Sequence, residues 1–434
     1  MSELPIVIIG AGAVGLAAAA HLIEYDQGFL VLEKGPKLAG NILRWGHVQL
    51  FSPWEFNIND AAKKLLQKTG WVEPKADKLP TGKELVDEYL EPLSNHPQLK
   101  ERILYNAEVM NITKKNTDKM KSNSREQQPF ILYVNLNGSI EKIEAKAVID
   151  VTGTWNQPNP PFADGVWSNE TLKNNLHTHI PNLLEEQSVF KNKHVAVVGS
   201  GHSALNTLID LAELKNKFPN TKISWIIRKK QIDEAFGGEV NDELQARGEL
   251  GTQAHQLVDN GLVNVLTGFY VEEITEKNGH FEIKGTNEEI LSEVDEIVVN
   301  TGARPHFSFL NEIRLDIDPA VESTRKLAPL IDPNLHSCGT VRPHGEKELR
   351  QPEHGFYIAG VKSYGRAPTF LMATGYEQVR SIVAYLAGDK EEARKVKLNL
   401  PETGVCKVSP ISIPLEIKGL NTEGSCCTTN LTRN

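Results

Sequence analysis

Cysteine is scarce in this sequence, with four residues in a chain of 434, at positions 338, 406, 426 and 427. This scarcity argues against a domain held together by disulfides and favours a reducing, cytoplasmic setting. No two cysteines are spaced as Cys-x-x-Cys, so the sequence argues against a dithiol redox centre. Because nothing near Cys338 indicates a lowered thiol pKa, we expect that residue to be a loop residue.

Long apolar runs and an excess of basic residues are also missing. No apolar run reaches the ~18–20 residues that a membrane span needs, and the N-terminus has no basic region with a cleavage site, so we expect no signal peptide. The formal net charge of −9 is unlike that of a nucleic-acid-binding protein. We therefore expect a small-molecule substrate, no membrane or nucleic-acid partner, no metal site, and two or three domains.

What the sequence does contain is a strand, a glycine turn and a helix in residues 6–20, IVIIGAGAVGLAAAA. Gly10 permits a sharp turn, Gly12 lets a pyrophosphate approach the backbone, and Gly15 allows the helix to pack closely on the strand. The next strand pattern, FLVLEKG, ends in Glu33, where a carboxylate would bind ribose hydroxyls; the alternative is a solvated acid at a strand end. The predicted nucleotide site consists of these four residues and their neighbours Ala13, Val14 and Lys34.

The same design recurs in residues 194–212, HVAVVGSGHSALNTLIDLA, with Gly199, Gly201 and Ala204 in the three small-residue positions. Its second strand ends in the basic cluster Arg228, Lys229 and Lys230 instead of an acid. Such a cluster suits the 2′-phosphate of NADP through charge-assisted hydrogen bonds, although it is also compatible with a solvated basic turn. The predicted contacts in the glycine turn also include Ser200, His202 and Ser203, of which the last two could equally be a helix cap.

Two nucleotide-binding units in one chain indicate electron transfer between two nucleotides. The acid of the first unit suits a flavin dinucleotide with free ribose hydroxyls, and the basic cluster of the second suits a phosphorylated nicotinamide dinucleotide. The sequence therefore predicts FAD on the first unit and NADPH on the second.

Together with these turns, several further motifs resemble the flavin-containing monooxygenase-like group of two-dinucleotide-binding-domain flavoproteins, over roughly residues 5–390. The motifs are LAGNILRWGHVQLFSPWEFN, LPTGKELVDEYLEPL, RILYNAEVMNITK, AVIDVTGTWNQPNPP, VDEIVVNTGARP and GFYIAGVKSYGRAPTFLMATGYEQVRSIVAYLAG. The resemblance implies that Val109 contacts adenine through its backbone and that Thr152 and Gly153 lie in the crossover beside FAD. It also implies that Gly360 lies near the pyrophosphate and that the helix starting near Thr374 points at the flavin ring.

The fold class that this resemblance implies is α/β, with two Rossmann-type, doubly wound, three-layer domains, one inserted in the other. We expect a discontinuous FAD-binding domain in residues 1–155 and 331–390, an NADP-binding domain in residues 156–330, and an extended or disordered tail in residues 395–434. The oligomeric state is open, and a homodimer is one arrangement that we consider.

The activity that the resemblance implies is that of a monooxygenase, in which NADPH reduces the flavin and oxygen then forms a C4a-hydroperoxide that oxygenates a soft nucleophile such as sulfur, nitrogen or arsenic. Two departures put oxygen insertion in doubt. His177 or His179 matches the histidine of the family fingerprint, but its aromatic residue and glycine are missing, and Asn57 and Asn59 are only approximate matches to the family's asparagine. The alternatives are a non-oxygenating NADPH-dependent flavin reductase or oxidase, linked to arsenic resistance in one variant, and a redox-sensing nucleotide-binding protein.

Three segments outside these motifs remain open. Residues 113–129 are polar, which predicts an exposed hairpin tip or mobile loop. Asp242, Glu243 and Arg247 lie near the predicted nicotinamide entrance and are either functional or part of a solvated helix face. The adjacent Cys426 and Cys427 could bind a thiophilic species, or they could be incidental residues of a disordered tail.

Overall fold

The computed structural model describes residues 4–242, 244–335 and 344–398. The four cysteines, Glu243 and most of the predicted C-terminal tail lie outside these residues. Within the described residues the strands are, in chain order: β1 (Ile6–Ile9), β2 (Phe29–Leu32), β3 (Ile103–Leu104), β4 (Ala107–Lys114), β5 (Phe130–Leu136), β6 (Ser139–Ala145), β7 (Ala147–Asp150), β8 (His194–Val198), β9 (Lys222–Ile226), β10 (Asn264–Leu266), β11 (Val271–Lys277), β12 (His280–Gly285), β13 (Ile290–Val294), β14 (Glu296–Val299) and β15 (Phe356–Ile358).

The α-helices of the same residues follow in chain order: α1 (Ala13–Glu24), α2 (Gly40–Arg44), α3 (Trp54–Asn57), α4 (Asp60–Leu66), α5 (Gly82–Glu84), α6 (Glu91–Ser94), α7 (Pro97–Lys100), α8 (Glu170–Asn175), α9 (Gln187–Phe190), α10 (His202–Lys217), α11 (Gln245–Asp259), α12 (Ala328–Ile331), α13 (Glu346–Leu349), α14 (Met372–Leu386) and α15 (Lys390–Arg394). A π-helical stretch, Leu85–Leu90, joins α5 to α6. Short 3₁₀ turns are Gln67–Thr69, Ile232–Ala235, Glu239–Asn241, Ser308–Leu310 and Gly360–Tyr364. None of the described helices combines the length and apolar character that a membrane crossing requires.

The first glycine turn belongs to a parallel five-stranded sheet with the order β15-β7-β1-β2-β3. Alternate side chains of β1 lie in two different hydrophobic cores, because successive residues of a strand point to opposite faces of the sheet. Ile6 and Ile8 pack with the helices α1 and α14, whereas Val7 and Ile9 pack against the antiparallel sheet β4-β5-β6. The result is a unit of three layers.

The second glycine turn belongs to a parallel four-stranded sheet with the order β10-β9-β8-β14. Val195 and Val197 face the helix α10, while Ala196 and Val198 face the antiparallel sheet β11-β12-β13. The two units therefore repeat one plan, which confirms the predicted α/β class with two Rossmann-type, three-layer units.

The chain returns to the first unit between β14 and β15. Phe309, Leu310 and Ile313 are buried in the same core as β1 and β7, although they precede residue 331. We therefore propose that the second part of the FAD-binding domain begins near residue 307, earlier than the expected boundary at residue 331.

Residues 115–129, between β4 and β5, are not simply an exposed tip. Arg125 is 2% exposed, and its guanidinium forms an ion pair with Glu353 at 2.7 Å. It also donates hydrogen bonds to the backbone carbonyls of Thr117, Asp118 and Glu312. The prediction of an exposed hairpin tip is confirmed for residues 118–124, which connect the paired strands β4 and β5, whereas the buried Arg125 attaches the end of this loop to the body of the first unit.

Candidate functional site

The outer glycines of the first turn are required by packing. Gly10 has φ +110°, and a Cβ there would lie 3.0 Å from the carbonyl oxygen of Val151. A Cβ on Gly15 would lie 2.0 Å from the carbonyl oxygen of Gly10, so only glycine lets α1 approach β1 this closely.

The middle glycine of each turn is not required by the protein itself. Gly12 has φ −85° and Gly201 has φ −95°, in the extended region that every L-residue adopts. A Cβ added to either would meet no protein atom within 4 Å. Both positions precede a helix of twelve or more residues, whose free N–H groups and dipole attract phosphate. The space at these two helix ends therefore fits a pyrophosphate that approaches the backbone closely.

The second turn shares the packing constraint of the first. Gly199 has φ +133°, and a Cβ there would lie 2.2 Å from the carbonyl oxygen of Asn300. Ala204 is fully buried on the inner face of α10, whereas Ser200 and Ser203 stay at the open edge of the turn.

Glu33 is not a solvated strand-end acid. Its carboxylate accepts a hydrogen bond from the backbone N–H of Ala11 at 2.8 Å and another from that of Gly35 at 2.8 Å. The backbone carbonyl of Glu33 accepts from Ala107 N at the start of β4, which places Val109 two residues farther along the neighbouring strand. Lys34 pairs with Glu108 on that strand. The predicted ribose and adenine contacts are thus brought to one edge of the first unit.

The remaining residues predicted for FAD meet at the start of α1. A Cβ on Gly360 would lie 3.5 Å from the Val14 side chain, and a Cβ on Gly375 would lie 2.7 Å from it. A Cβ on Gly153 would lie 3.7 Å from the side chain of Val361. Thr374 is 2% exposed at the beginning of α14. The crossover, the closing segment and the first glycine turn therefore lie side by side at one surface.

A buried ion pair beneath this surface was missed in the sequence. The ammonium of Lys362 lies 2.7 Å from Oδ2 of Asp150 and 3.1 Å from Oγ1 of Thr152, and Asp150 Oδ1 accepts from the Thr152 hydroxyl. Burial lowers the pKa of Lys362, opposed by the charge and hydrogen bond of Asp150. The pair fixes the predicted crossover residue Thr152 to the closing segment.

The basic cluster after β9 faces outward. Arg228 and Lys230 are exposed, and within the described ranges no ion pair involves Arg228. The Lys229 ammonium donates to the backbone carbonyl of Glu234. Arg228 and Lys230 are therefore the members of the cluster whose donors are available to a ligand, and of the two only Arg228 carries the planar fork that binds phosphate through two hydrogen bonds.

The two units touch near the second glycine turn. The ring of Phe51, from the first unit, lies 5.3 Å from that of His202 at the start of α10, and the Arg247 guanidinium lies 5.9 Å from the Phe51 ring centre. Arg247 forms two hydrogen bonds with the carboxylate of Asp242, and both side chains are at most 10% exposed. The solvated-face alternative was therefore wrong for Asp242 and Arg247, which are buried in this contact. Burial, helped by the charge of Arg247, lowers the pKa of His202 to about 4, so its ring is neutral near pH 7.

Asn57 and Asn59, which approximately match the family's asparagine, both use their side chains for hydrogen bonds within the protein. Asn57 is fully buried, and its amide donates to the carbonyls of Ser52 and Pro53 and accepts from the Ser52 hydroxyl. Asn59 caps α4 by accepting from Ala62 N and bonds to His21 through Nδ2. Neither amide is left for a ligand in this arrangement.

The two candidate fingerprint histidines differ in their surroundings. His177 forms a backbone bridge to Val298, and its Nε2 lies 2.9 Å from Glu296, so it helps to hold the connecting segment on β14. His179 stacks on Trp155, with ring centres 3.8 Å apart. Its pKa is lowered to about 4 by burial and by the charge of Arg44.

Comparison with known proteins supports this reading of the fold. A family model described as pyridine nucleotide-disulphide oxidoreductase matches residues 7–340. An alkyl hydroperoxide reductase subunit of Staphylococcus aureus is 26% identical over 221 residues, which are 49% of this chain. The aligned region is only 37% of that relative's own length.

Solved structures with the same fold include enzymes of two kinds. The bacillithiol disulfide reductase Bdr (YpdA) from Bacillus cereus superposes with a TM-score of 0.63 and 19% identity over 90% of this chain and 100% of that one. The FAD-bound cadaverine monooxygenase DfoA from Erwinia amylovora gives a TM-score of 0.63 and 14% identity over 93% of this chain and 98% of that one. The ornithine N-hydroxylase KtzI from Kutzneria, solved with reduced FAD, NADP⁺ and L-ornithine, gives a TM-score of 0.57 and 16% identity over 90% and 100% of the two chains.

Proposed function

This chain belongs to the pyridine nucleotide-disulphide oxidoreductase family, and from that premise we propose that it is an FAD-containing, NADPH-dependent monooxygenase acting on a soft nucleophile. The observation that carries the cofactor assignment is the pair Gly12 and Gly201. Neither backbone conformation nor packing requires glycine at these positions, and each precedes a helix end, so two pyrophosphates explain both.

FAD suits the first unit. Glu33, held by the N–H groups of Ala11 and Gly35, presents its carboxylate at the edge where ribose hydroxyls would bind. Thr152, Gly153 and Gly360 line the surface on which the pyrophosphate and the flavin would lie. When bound, FAD would supply hydride acceptance from NADPH and electron transfer to oxygen.

NADPH suits the second unit. Arg228 is exposed and has no ion-pair partner among the described residues, so its fork of donors can bind a 2′-phosphate in bidentate fashion. His202 is neutral near pH 7 and can donate one ring N–H without adding a charge. His202 lies at the start of α10, beside Phe51 of the first unit. A dinucleotide bound to the second unit would approach the first unit at this point.

The absence of cysteine from residues 1–337 favours a monooxygenase over a disulfide reductase with an internal dithiol. Such a reductase places two thiols beside the flavin, and no thiol exists in the residues that form the predicted FAD surface. Electrons must then leave to oxygen or to an external acceptor. We place the protein in the cytoplasm on the same scarcity of cysteine.

A second candidate is a flavin reductase or oxidase that does not insert oxygen. It is favoured by one observation: the side-chain amides of Asn57 and Asn59, the two approximate matches to the family's asparagine, form hydrogen bonds within the protein.

The test is to purify the full chain, identify the released flavin by chromatography, and reduce it anaerobically with NADPH. Oxygen is then admitted with and without dimethyl sulfide or a primary amine, and hydrogen peroxide and oxygenated product are measured. We expect FAD, NADPH-driven bleaching, and a peroxide yield that falls as product appears. A peroxide yield that no nucleophile lowers would favour the reductase, and a folded protein that retains no flavin would contradict both candidates.

A further inference from the structure

Two helices of the second unit begin at the contact between the two units. His202 is the first residue of α10, and Arg247 lies in the first turn of α11. The ring of His202 lies 5.3 Å from the centre of the Phe51 ring, and the central guanidinium carbon of Arg247 lies 5.9 Å from it. The N-terminal ends of α10 and α11 therefore meet at this ring, next to Gly201, where an added Cβ would meet no protein atom within 4 Å.

The position of Arg247 is by itself unfavourable for a cation. Free N–H groups and the helix dipole make the first turn of a helix positive, so a basic side chain there is destabilising. The first turn of α11 has no acidic residue to offset this charge. The carboxylate of Asp242 offsets it instead, because it accepts hydrogen bonds from Nε and Nη2 of Arg247 at 2.7 and 2.8 Å.

The ion pair of Asp242 and Arg247 also requires that both charges leave water. The two side chains are 5% and 10% exposed, and the cost of removing two charges from water can exceed the attraction between them. A buried pair of this kind is therefore weak evidence for a stabilising role. Its presence at the contact between the units favours a role in binding a ligand.

Arg247 keeps one nitrogen for another partner. Nε and Nη2 are bonded to Asp242, whereas Nη1 forms no hydrogen bond with any residue that the structure describes. Nη1 is also not among the buried side-chain atoms of these residues that lack a partner, so it is open to solvent. Because the two bonds to Asp242 fix the plane of the guanidinium, they also fix the direction of the Nη1 donors.

The loop before α11 packs so closely on this helix that Asp242 is held in place. A Cβ on Gly248 would lie 2.0 Å from the carbonyl oxygen of Glu239, and a Cβ on Gly251 would lie 1.9 Å from that of Phe236. Only glycine at these two positions lets the loop lie directly on the helix. The arginine and its partner are therefore oriented before any ligand binds, which lowers the cost of binding.

We propose that Arg247 binds the pyrophosphate of the dinucleotide on the second unit, with the N–H groups of Nη1 as donors. The pyrophosphate would lie at Gly201 and the start of α10, and Arg247 would reach it from the start of α11. The phosphate charge would then be attracted by the guanidinium and by both helix ends, which offsets the unfavourable position of the cation. This proposal rests on the assignment of NADPH to the second unit.

Arg247 would recognise a different part of the nucleotide from Arg228. Arg228 follows β9 and is exposed, and its proposed ligand is the 2′-phosphate of NADPH. Arg247 lies beside the start of α10, where the pyrophosphate is expected. Because NADPH and NADH share the pyrophosphate and only NADPH carries the 2′-phosphate, Arg247 would support the binding of both nucleotides and Arg228 would select between them.

The test is calorimetric titration of the purified, FAD-bound full chain with two fragments of NADP. ADP-ribose carries the pyrophosphate without the 2′-phosphate, and 2′-AMP carries the 2′-phosphate without the pyrophosphate. Arg247→Gln should weaken the binding of ADP-ribose at least tenfold, because a charge-assisted hydrogen bond is lost, and should leave that of 2′-AMP within about twofold. Arg228→Ala should give the reverse pattern. Unchanged affinity of Arg247→Gln for ADP-ribose, or equal weakening of both fragments, overturns the proposal.

Two further variants separate anion binding from a structural effect. Arg247→Gln leaves Asp242 buried without its cation, so it is compared with the double variant Arg247→Gln with Asp242→Asn, which has no unpaired charge and should show the same loss of affinity for ADP-ribose. Phe51→Leu removes the ring that Arg247 contacts but keeps the ion pair, and should leave the affinity within about twofold. Recovery of affinity in the double variant, or an equal loss in Phe51→Leu, would assign Arg247 a structural role and contradict the proposal.

Flavin reduction by NADPH and by NADH is measured on the same preparations. In Arg247→Gln the apparent KM should rise by about the same factor for both nucleotides, and a rise for NADPH alone would contradict the proposal. Normal reduction and normal ADP-ribose binding by Arg247→Gln defeat this proposal alone. Failure of the unmodified protein to bind either fragment or to be reduced by NADPH defeats the proposed function, and this proposal with it.

Discussion

The Nζ of Lys362 lies 2.7 Å from Oδ2 of Asp150, and the side chains of both residues are fully buried. The two residues are 212 positions apart in the chain. Their ion pair connects the end of β7 to the segment that follows β15, directly beneath the proposed FAD surface.

We expect Lys362→Met to destabilise the protein by about 3–5 kcal/mol, because it leaves the Asp150 charge buried without its partner. The double variant Lys362→Met with Asp150→Asn should recover a large part of this loss, since no unpaired charge then remains. Urea unfolding followed by tryptophan fluorescence measures both. Equal stability of the single variant and the unmodified protein would show that the ion pair contributes nothing.

Gly12→Val should abolish retention of FAD while leaving the fold intact. Valine accepts the local backbone conformation, and its Cβ meets no protein atom within 4 Å, so we expect its side chain to obstruct the ligand and not the fold. Flavin content per protein and circular dichroism measure the two effects. Gly15→Val is the contrasting variant and should unfold the unit, because its Cβ would lie 2.0 Å from a backbone oxygen. A yellow, folded Gly12→Val protein would contradict the proposed site.

Gly201→Val should leave FAD bound but prevent reduction by NADPH, for the same reason at the second turn. The measurement is anaerobic flavin bleaching by NADPH, with dithionite as the control that the flavin itself remains reducible. Loss of flavin from this variant would show that the two turns do not bind separate nucleotides.

Arg228→Ala should raise the apparent KM for NADPH by roughly ten- to a hundredfold, since a lost charge-assisted contact with phosphate costs ~1.5–3 kcal/mol. The KM for NADH should change little because NADH has no 2′-phosphate. Lys222→Ala, an exposed residue at the start of β9, is the control. Equal effects of Arg228→Ala on both nucleotides would assign the residue a structural role.

Asp210→Asn should stabilise the protein above neutral pH. Burial, with a contribution from the charge of Glu213, raises the pKa of Asp210 to about 7, so the folded state holds a proton that the unfolded chain releases near pH 4. The carboxyl group therefore favours folding below pH 4, and this contribution is lost as the pH rises through about 7.

The melting temperature measured at pH 4, 6 and 8 checks this. The difference between Asp210→Asn and the unmodified protein should be small at pH 4 and should grow in favour of the variant by pH 8. Glu213→Gln should shift the growth of this difference to lower pH by removing a neighbouring negative charge. A constant difference at all three pH values would contradict the raised pKa.

The sequence alone determined the features whose physics is local. Gly10, Gly12, Gly15 and Glu33 lie within one strand-turn-helix-strand segment, so spacing was enough to predict both the turn and the acid at its edge. The same holds for the second turn, where the difference between Glu33 and Arg228 is visible as a difference in charge at the same position of the motif.

Only the tertiary structure decided which distant residues meet. Three contacts illustrate this: Asp150 with Lys362, Arg125 with Glu353, and Phe51 with His202, whose partners are 212, 228 and 151 positions apart in the chain. Nothing in the sequence next to any of these residues indicates its partner. Their pairing follows from the order of strands in the sheets and from the return of the chain to the first unit, neither of which is encoded in a short segment. A cavity lined by Arg44, His47 and Trp155 depends on the same long-range packing, because its walls come from segments that are far apart in the chain.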